Sequence, residues 1–145
     1  MATIIFPVDF SEKTSLLVEK AVKFAKMVNG KIHVIHVAPA DIGFAIGDMG
    51  YQYIPELEQH EMNEELKLLL DIQNKITEQG VSCDHFLKQG IAKDIIMDVA
   101  HEKNADFIIM GSHGRSGMYD VFVGSLTKTL TKTSDIPVLV IPVHE

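Results

Sequence analysis

An apolar run ends on Gly111-Ser112-His113-Gly114-Arg115-Ser116-Gly117, and after a nine-residue spacer beyond Gly114 comes Gly124-Ser125. These residue types suit the binding of an anion. Without Cβ atoms at Gly111, Gly114 and Gly124 the main chain can turn its N–H groups toward a ligand, and Gly124-Ser125 stands where a helix could begin and present unpaired amides. Ser125 and Thr127 add hydroxyl groups at the same helix start. Hydrogen bonds to a charged phosphate contribute about 1.5–3 kcal/mol each, so a few would support micromolar affinity. The chain as a whole carries a formal charge of −7, which argues against a general nucleic-acid binder. Between residues 108 and 133, however, Arg115, Lys128 and Lys132 face Asp120 alone, and charges beyond a Debye length of about 8 Å are screened. The local positive sign therefore prevails.

The loop is neither Gly-x4-Gly-Lys-[Ser/Thr] nor Gly-x-Gly-x-x-Gly. Lacking the loop lysine and a clear carboxylate for Mg²⁺, it has no recognisable machinery for rapid phosphoryl transfer. No base flanks Ser125 or Thr127 to mark either as a nucleophile. Asp9, directly after the first apolar run, could accept hydrogen bonds from an adenine amine or a ribose hydroxyl, or lie near a phosphate-held metal. Equally, it could be an acid favoured by a helix dipole and by turn formation. His113 could touch phosphate or be an exposed loop histidine. His36 and Val37, at the end of the second apolar run, read as packing and backbone-contact positions. The remaining histidines show no metal spacing such as His-Glu-x-x-His.

Elements of alternating period must bring these residues together. Residues 3–8 read as a buried strand, and Ser11 as the cap of a helix carrying Leu17, Ala21, Phe24, Ala25 and Val28 on one face before Asn29-Gly30. Residues 31–37 form a second strand. A helix within residues 54–79 places Met62, Leu66, Leu69, Ile72 and Ile76 inward, with an acidic opposite face, and ends at Gly80. Residues 82–88 are a third strand, 92–103 a third helix with Ile95, Ile96 and Val99 inward, 106–110 a fourth strand and 136–143 a fifth. Threonine at 127, 129, 131 and 133 gives residues 125–134 a strand-like period. Leu126 and Leu130 share a helical face, though, and a crossover is needed, so a helix is expected there. The glycine-bearing connection 39–55 is expected to be structureless, as a lid over a ligand or a disordered stretch.

Apolar strands alternating with helices call for an α/β domain, a parallel sheet covered on both faces by right-handed crossovers, with ligands at the strand carboxyl ends. The 145 residues make one domain, 1–145, of ordinary globular composition at 46% hydrophobic and 23% charged. No apolar run is long enough to span a bilayer. The N-terminus lacks a basic segment and a cleavage site, and Cys83 is the only cysteine, which fits a cytoplasmic protein. Ile136-Pro137-Val138-Leu139-Val140-Ile141-Pro142-Val143 is apolar on both faces. As the last strand it is expected at a sheet edge, where it either pairs with a second copy or is covered by the chain's own helices.

Taken together, Pro7-Val8-Asp9-Phe10-Ser11, His36-Val37, the stretch from Ala105 to Gly117, Gly124-Ser125 and Pro137-Val138-Leu139-Val140-Ile141 resemble the universal stress protein family over the whole chain. The spacing Gly-x2-Gly-x9-Gly-[Ser/Thr] is similar to that of its ATP-binding branch. The resemblance implies a Rossmann-like five-stranded parallel sheet of order 3-2-1-4-5, a homodimer through the last strands, and ATP, AMP or another adenine nucleotide between the first and fourth strands. A divalent ion, Mg or Mn, would be bound through the phosphates. By position, Pro7, Val8 and Asp9 would meet the nucleoside and Val37 and Met110 would flank adenine. Gly111, His113, Gly114, Arg115, Gly124, Ser125, Leu126 and Thr127 would surround the phosphates. Ala92 departs from the proline common in the family at that position and is expected to stay clear of the nucleotide. The implied role is a stress-response ATP-binding protein with slow hydrolysis at most. Alternatives are a phosphoryl-transferring ATPase, a flavin or other nucleotide carrier, and a nucleotide-free structural dimer.

Overall fold

The computed structural model describes residues 1–112 and 124–143. In chain order these form β1 (Ala2–Pro7), α1 (Thr14–Met27), β2 (Gly30–Ala38), β3 (Phe44–Gly47), β4 (Gly50–Tyr53), α2 (Pro55–Glu78), β5 (Cys83–Gln89), α3 (Ala92–Glu102), β6 (Phe107–Gly111), α4 (Ser125–Thr133) and β7 (Val138–Ile141). One parallel sheet runs in the order β5-β2-β1-β6-β7. This is the expected arrangement, with the strand numbers raised by an inserted hairpin.

Strand alternation sends successive side chains to opposite faces. Ile4, Phe6, Ile32, Val34 and Ile109 pack with Leu17, Val18, Ala21 and Val22 of α1 and with Leu69, Ile72 and Ile76 of α2. On the other face Ile5, Ile35, Ile108 and Met110 pack with Ile96, Val99 and Ala100 of α3 and with Leu130 of α4. The central strands β1, β2 and β6 are thus buried on both sides, which is why they read as largely apolar runs.

Four expectations need correcting. Residues 39–55 are not structureless: β3 and β4 form an antiparallel hairpin in which Phe44 faces Tyr53 and Ile46 faces Tyr51. Its strands are four residues each and bounded by glycine, too short for alternation to stand out. Ser11 does not cap α1. The helix begins at Thr14 after Lys13, and Ser11 Oγ accepts the Lys13 N–H at 3.3 Å in the turn ahead of it. In α2, Leu66 is 42% exposed, because the inward stripe above Leu69 passes through Glu65, whose side chain is only 15% exposed. The last strand is shorter than expected, since Pro137 and Pro142 bracket Val138–Ile141 and neither has an N–H for a ladder.

The threonine-rich segment is helical. Thr131 Oγ1 donates to the Lys128 carbonyl at 3.0 Å and Thr133 Oγ1 to the Thr129 carbonyl at 2.9 Å, so hydroxyls that would favour extended backbone bond back into their own helix. Burial pushes the Cys83 thiol up to about 12. At neutral pH it is a packing group and not a nucleophile. No helix among the described residues is long and apolar enough to cross a membrane.

Candidate functional site

At the carboxyl ends of β1, β2 and β6 a cavity of about 300 Å³ opens against the first turns of α3 and α4. β1 contributes Pro7, Val8 and Asp9, β2 contributes Val37, and β6 contributes Met110 and Gly111. From α4 and the residue before it come Gly124, Ser125, Leu126 and Thr127. Ten of the residues expected from sequence therefore line one cleft. His113, Gly114 and Arg115 lie outside the described residues.

Parallel ladders alternate sides, and this fixes which backbone groups face the cleft. The Ile32 N–H bonds Ser82 and the Gly90 N–H bonds the Ala38 carbonyl, each at 2.9 Å, so even-numbered residues of β2 serve β5. Odd-numbered residues serve β1, as the bond from Val8 N–H to the Ile35 carbonyl shows at 2.8 Å. The next odd residue is Val37. Its β1 partner would be the Val8 carbonyl, but that ladder bond is not made, and the oxygen accepts from His36 Nδ1 at 2.6 Å. The Val37 N–H and C=O are consequently directed to where β1 has left the sheet, one donor and one acceptor side by side.

The departing chain is held in a tight turn. Asp9 Oδ1 accepts the Ser11 N–H at 3.1 Å, which realises the turn-forming reading of this acid. The dipole reading is not realised, because Asp9 lies four positions ahead of the Lys13 cap. Phe10 has φ +59°, a left-handed conformation that costs a bulky residue roughly 1–2 kcal/mol. Its ring packs on His36 with centroids 4.3 Å apart, and this contact together with the Asp9 turn retains the strain.

At the far end of the cleft α4 starts without a side-chain cap. Its first intrahelical bond runs from Lys128 N–H to the Gly124 carbonyl at 2.9 Å, which leaves the amides of Ser125, Leu126 and Thr127 as the helix's orphan donors. Two expected donors are otherwise engaged. The Gly124 N–H bonds the Ser112 carbonyl at 2.6 Å, and Thr127 Oγ1 donates to the Gly111 carbonyl at 2.9 Å. Thr127, 5% exposed, therefore fastens α4 to the end of β6 with its hydroxyl instead of offering the proton to a ligand. Thr127→Val should cost about 1–3 kcal/mol of stability in urea unfolding, because a partly buried carbonyl loses its donor. Thr127→Ser should restore most of it, whereas unchanged stability in the valine variant would mean that the bond does not hold the two elements.

The cleft also includes side chains that sequence reasoning did not assign to it: Leu17, Ile35, His36, Ala92 and Ile96. Ala92, expected to stay clear of a nucleotide, stands on the cavity wall at the first position of α3. The signal for it was its place after Gly90, where a strand's carboxyl end turns into a helix. The apolar residues gave none, because a core position and a cavity wall carry the same residue types.

The profile of the universal stress protein family matches residues 1–142. Universal stress protein YxiE of Bacillus subtilis is 27% identical over 139 residues, covering 92% of this chain and 94% of that one. The solved structure of MJ0577 matches with a TM-score of 0.83 at 25% identity, covering 99% of this chain and 96% of that chain; the protein, from Methanocaldococcus jannaschii, is a universal stress protein. A universal stress protein of Archaeoglobus fulgidus, solved in complex with dAMP, has a TM-score of 0.69 at 19% identity over 97% of this chain and 98% of that one. With residues 1–142 matched by the family profile and nearly its full length by these relatives, this chain belongs to the universal stress protein family.

Proposed function

We propose that the cleft binds an adenine nucleotide, ATP in the first place and AMP or a related nucleotide as the alternative. The observation that carries this reading is that one cavity joins two complementary ends. The Val37 N–H and C=O match the acceptor and donor on the adenine edge, and the uncapped amides of α4 match a phosphate. In the reading proposed, Val8, Val37 and Met110 enclose the base, Pro7 and Asp9 meet the ribose, and Gly111, Gly124, Ser125, Leu126 and Thr127 surround the phosphates. His113, Gly114 and Arg115 would complete the phosphate end. The complex of the Archaeoglobus fulgidus relative with dAMP supports the ligand class. Mg or Mn would be carried by the phosphates.

The nucleotide serves a regulatory or protective role in the stress response, in a cytoplasmic setting, with hydrolysis slow or absent. The missing loop lysine supports slow chemistry. Mass spectrometry of nucleotide released on denaturing the purified protein should find an adenine nucleotide, and single-turnover hydrolysis should run below about 0.1 s⁻¹. Faster turnover would favour the ATPase alternative. Release of a flavin or of no nucleotide, with no thermal stabilisation by excess ATP, would overturn the adenine reading.

A homodimer through β7 belongs to the same proposal. β7 is the sheet's last strand, and the Pro137 and Ile141 carbonyls accept from Ile108 and Ser112, each at 2.9 Å. Odd-numbered residues therefore serve β6, and the Val140 N–H points outward. Val140→Pro removes that outward donor and no bond to β6. It should convert dimer to monomer in sedimentation velocity while the monomer keeps its nucleotide; a dimer of unchanged strength would place the interface elsewhere.

A further inference from the structure

His36 and Glu65 form a buried unit that the nucleotide reading leaves unused. His36 is 8% exposed; its Nδ1 donates to the Val8 carbonyl, and its Nε2 lies 2.8 Å from Glu65 Oε2 on α2. That oxygen is shut off from solvent. It meets the imidazole in distance but not in the alignment of a hydrogen bond, and has no other hydrogen-bond partner. A carbonyl can only accept, so Nδ1 carries a hydrogen, and Nε2 is the ring nitrogen that faces the carboxylate. An acid at this depth is costly to bury unless its position is used, and an apolar residue of similar size would satisfy packing alone.

The unit has a geometric consequence at the cleft. His36 Nδ1 donates to the Val8 carbonyl where the β1–β2 ladder ends, beside the Val37 backbone and one residue ahead of the Asp9 turn, and His36 itself lines the cleft. The Phe10 ring seals the other side of the imidazole. Among the described residues, the charged group that reaches the imidazole from outside the sheet is Glu65 of α2. We infer that Glu65, acting through His36, is a positioning residue for nucleotide binding, and that α2 is thereby coupled to occupancy of the cleft. This inference rests on the adenine-nucleotide reading of the same site.

Calorimetric titration with ATP and Mg²⁺, together with long-range ¹H–¹⁵N spectra of the histidine rings, tests it. Glu65→Leu should weaken binding about tenfold or more, because His36 loses the carboxylate that faces its Nε2. Glu65→Gln should restore affinity to within about threefold, because its amide can donate to an unprotonated Nε2 while Nδ1 keeps Val8. In the unaltered protein the His36 ring signals should shift on adding ATP, which keeps the test decisive even if the leucine variant does not fold. Native affinity in Glu65→Leu, failure of glutamine to rescue, or His36 signals indifferent to ATP would each overturn the coupling. Absence of ATP binding in the unaltered protein would instead sink the nucleotide reading, and the coupling with it.

Discussion

Ser125→Glu should bind ATP about 20- to 200-fold more weakly than the native protein, while the free protein melts no lower. Ser125 is exposed in the first turn of α4, whose amides have no side-chain cap. A carboxylate there would stand in for the anion those amides await. At about 5 Å from a phosphate charge, and with an effective dielectric of roughly 20–40 for a site near solvent, the repulsion is about 1.7–3.3 kcal/mol. The same charge favours the helix N-terminus by about 0.3–1 kcal/mol, so stability and affinity should move in opposite directions. Adenosine, which has no phosphate, should be scarcely affected. Isothermal titration with both ligands checks this, and an equal loss for adenosine would mean that the substitution had distorted the base end.

Ala92→Phe should abolish binding of ATP and adenosine alike, by about 100-fold or more, without loss of the fold. Ala92 lines the cavity beside Val37, Ile96 and Met110, and a phenyl ring directed into about 300 Å³ occupies the volume proposed for the base. Because the ring would enter open space bordered by apolar side chains, it gains burial at about 25 cal/mol per Å² and displaces no packed group. Its melting temperature should stay within a few degrees of the native value. Against Ser125→Glu, the two variants separate the ends of the ligand. Retained adenosine binding in Ala92→Phe would move the base to another wall.

The parallel α/β class and a site at strand carboxyl ends are legible from periodicity and from where strands end, whereas the sheet order is implied only by the family resemblance. Largely apolar runs mark β1, β2, β6 and β7, while β5 carries Asp84, His85, Lys88 and Gln89; Asp9 follows such a run, and Val37 and Gly111 stand at the ends of theirs. The α4 helix was legible only through Leu126 and Leu130, against the pull of its threonines. Glu65 was not legible: a single acid on an acidic helix reads as surface, and only the depth of the α2–β2 contact puts it inward in place of Leu66. The β3–β4 hairpin was missed because four-residue strands beside glycine give too few alternations. Thr127 was identified as a site residue, yet the direction of its hydroxyl depends on how closely α4 approaches Gly111, a distance that spacing along the chain does not encode.

A nucleotide held through both ends of the cleft at once should bind as a single ligand per chain. Isothermal titration of ATP with Mg²⁺ into protein stripped of endogenous nucleotide should show one site per chain, with a dissociation constant of about 1–100 µM. No saturable heat, and no thermal stabilisation, at millimolar ATP would contradict it.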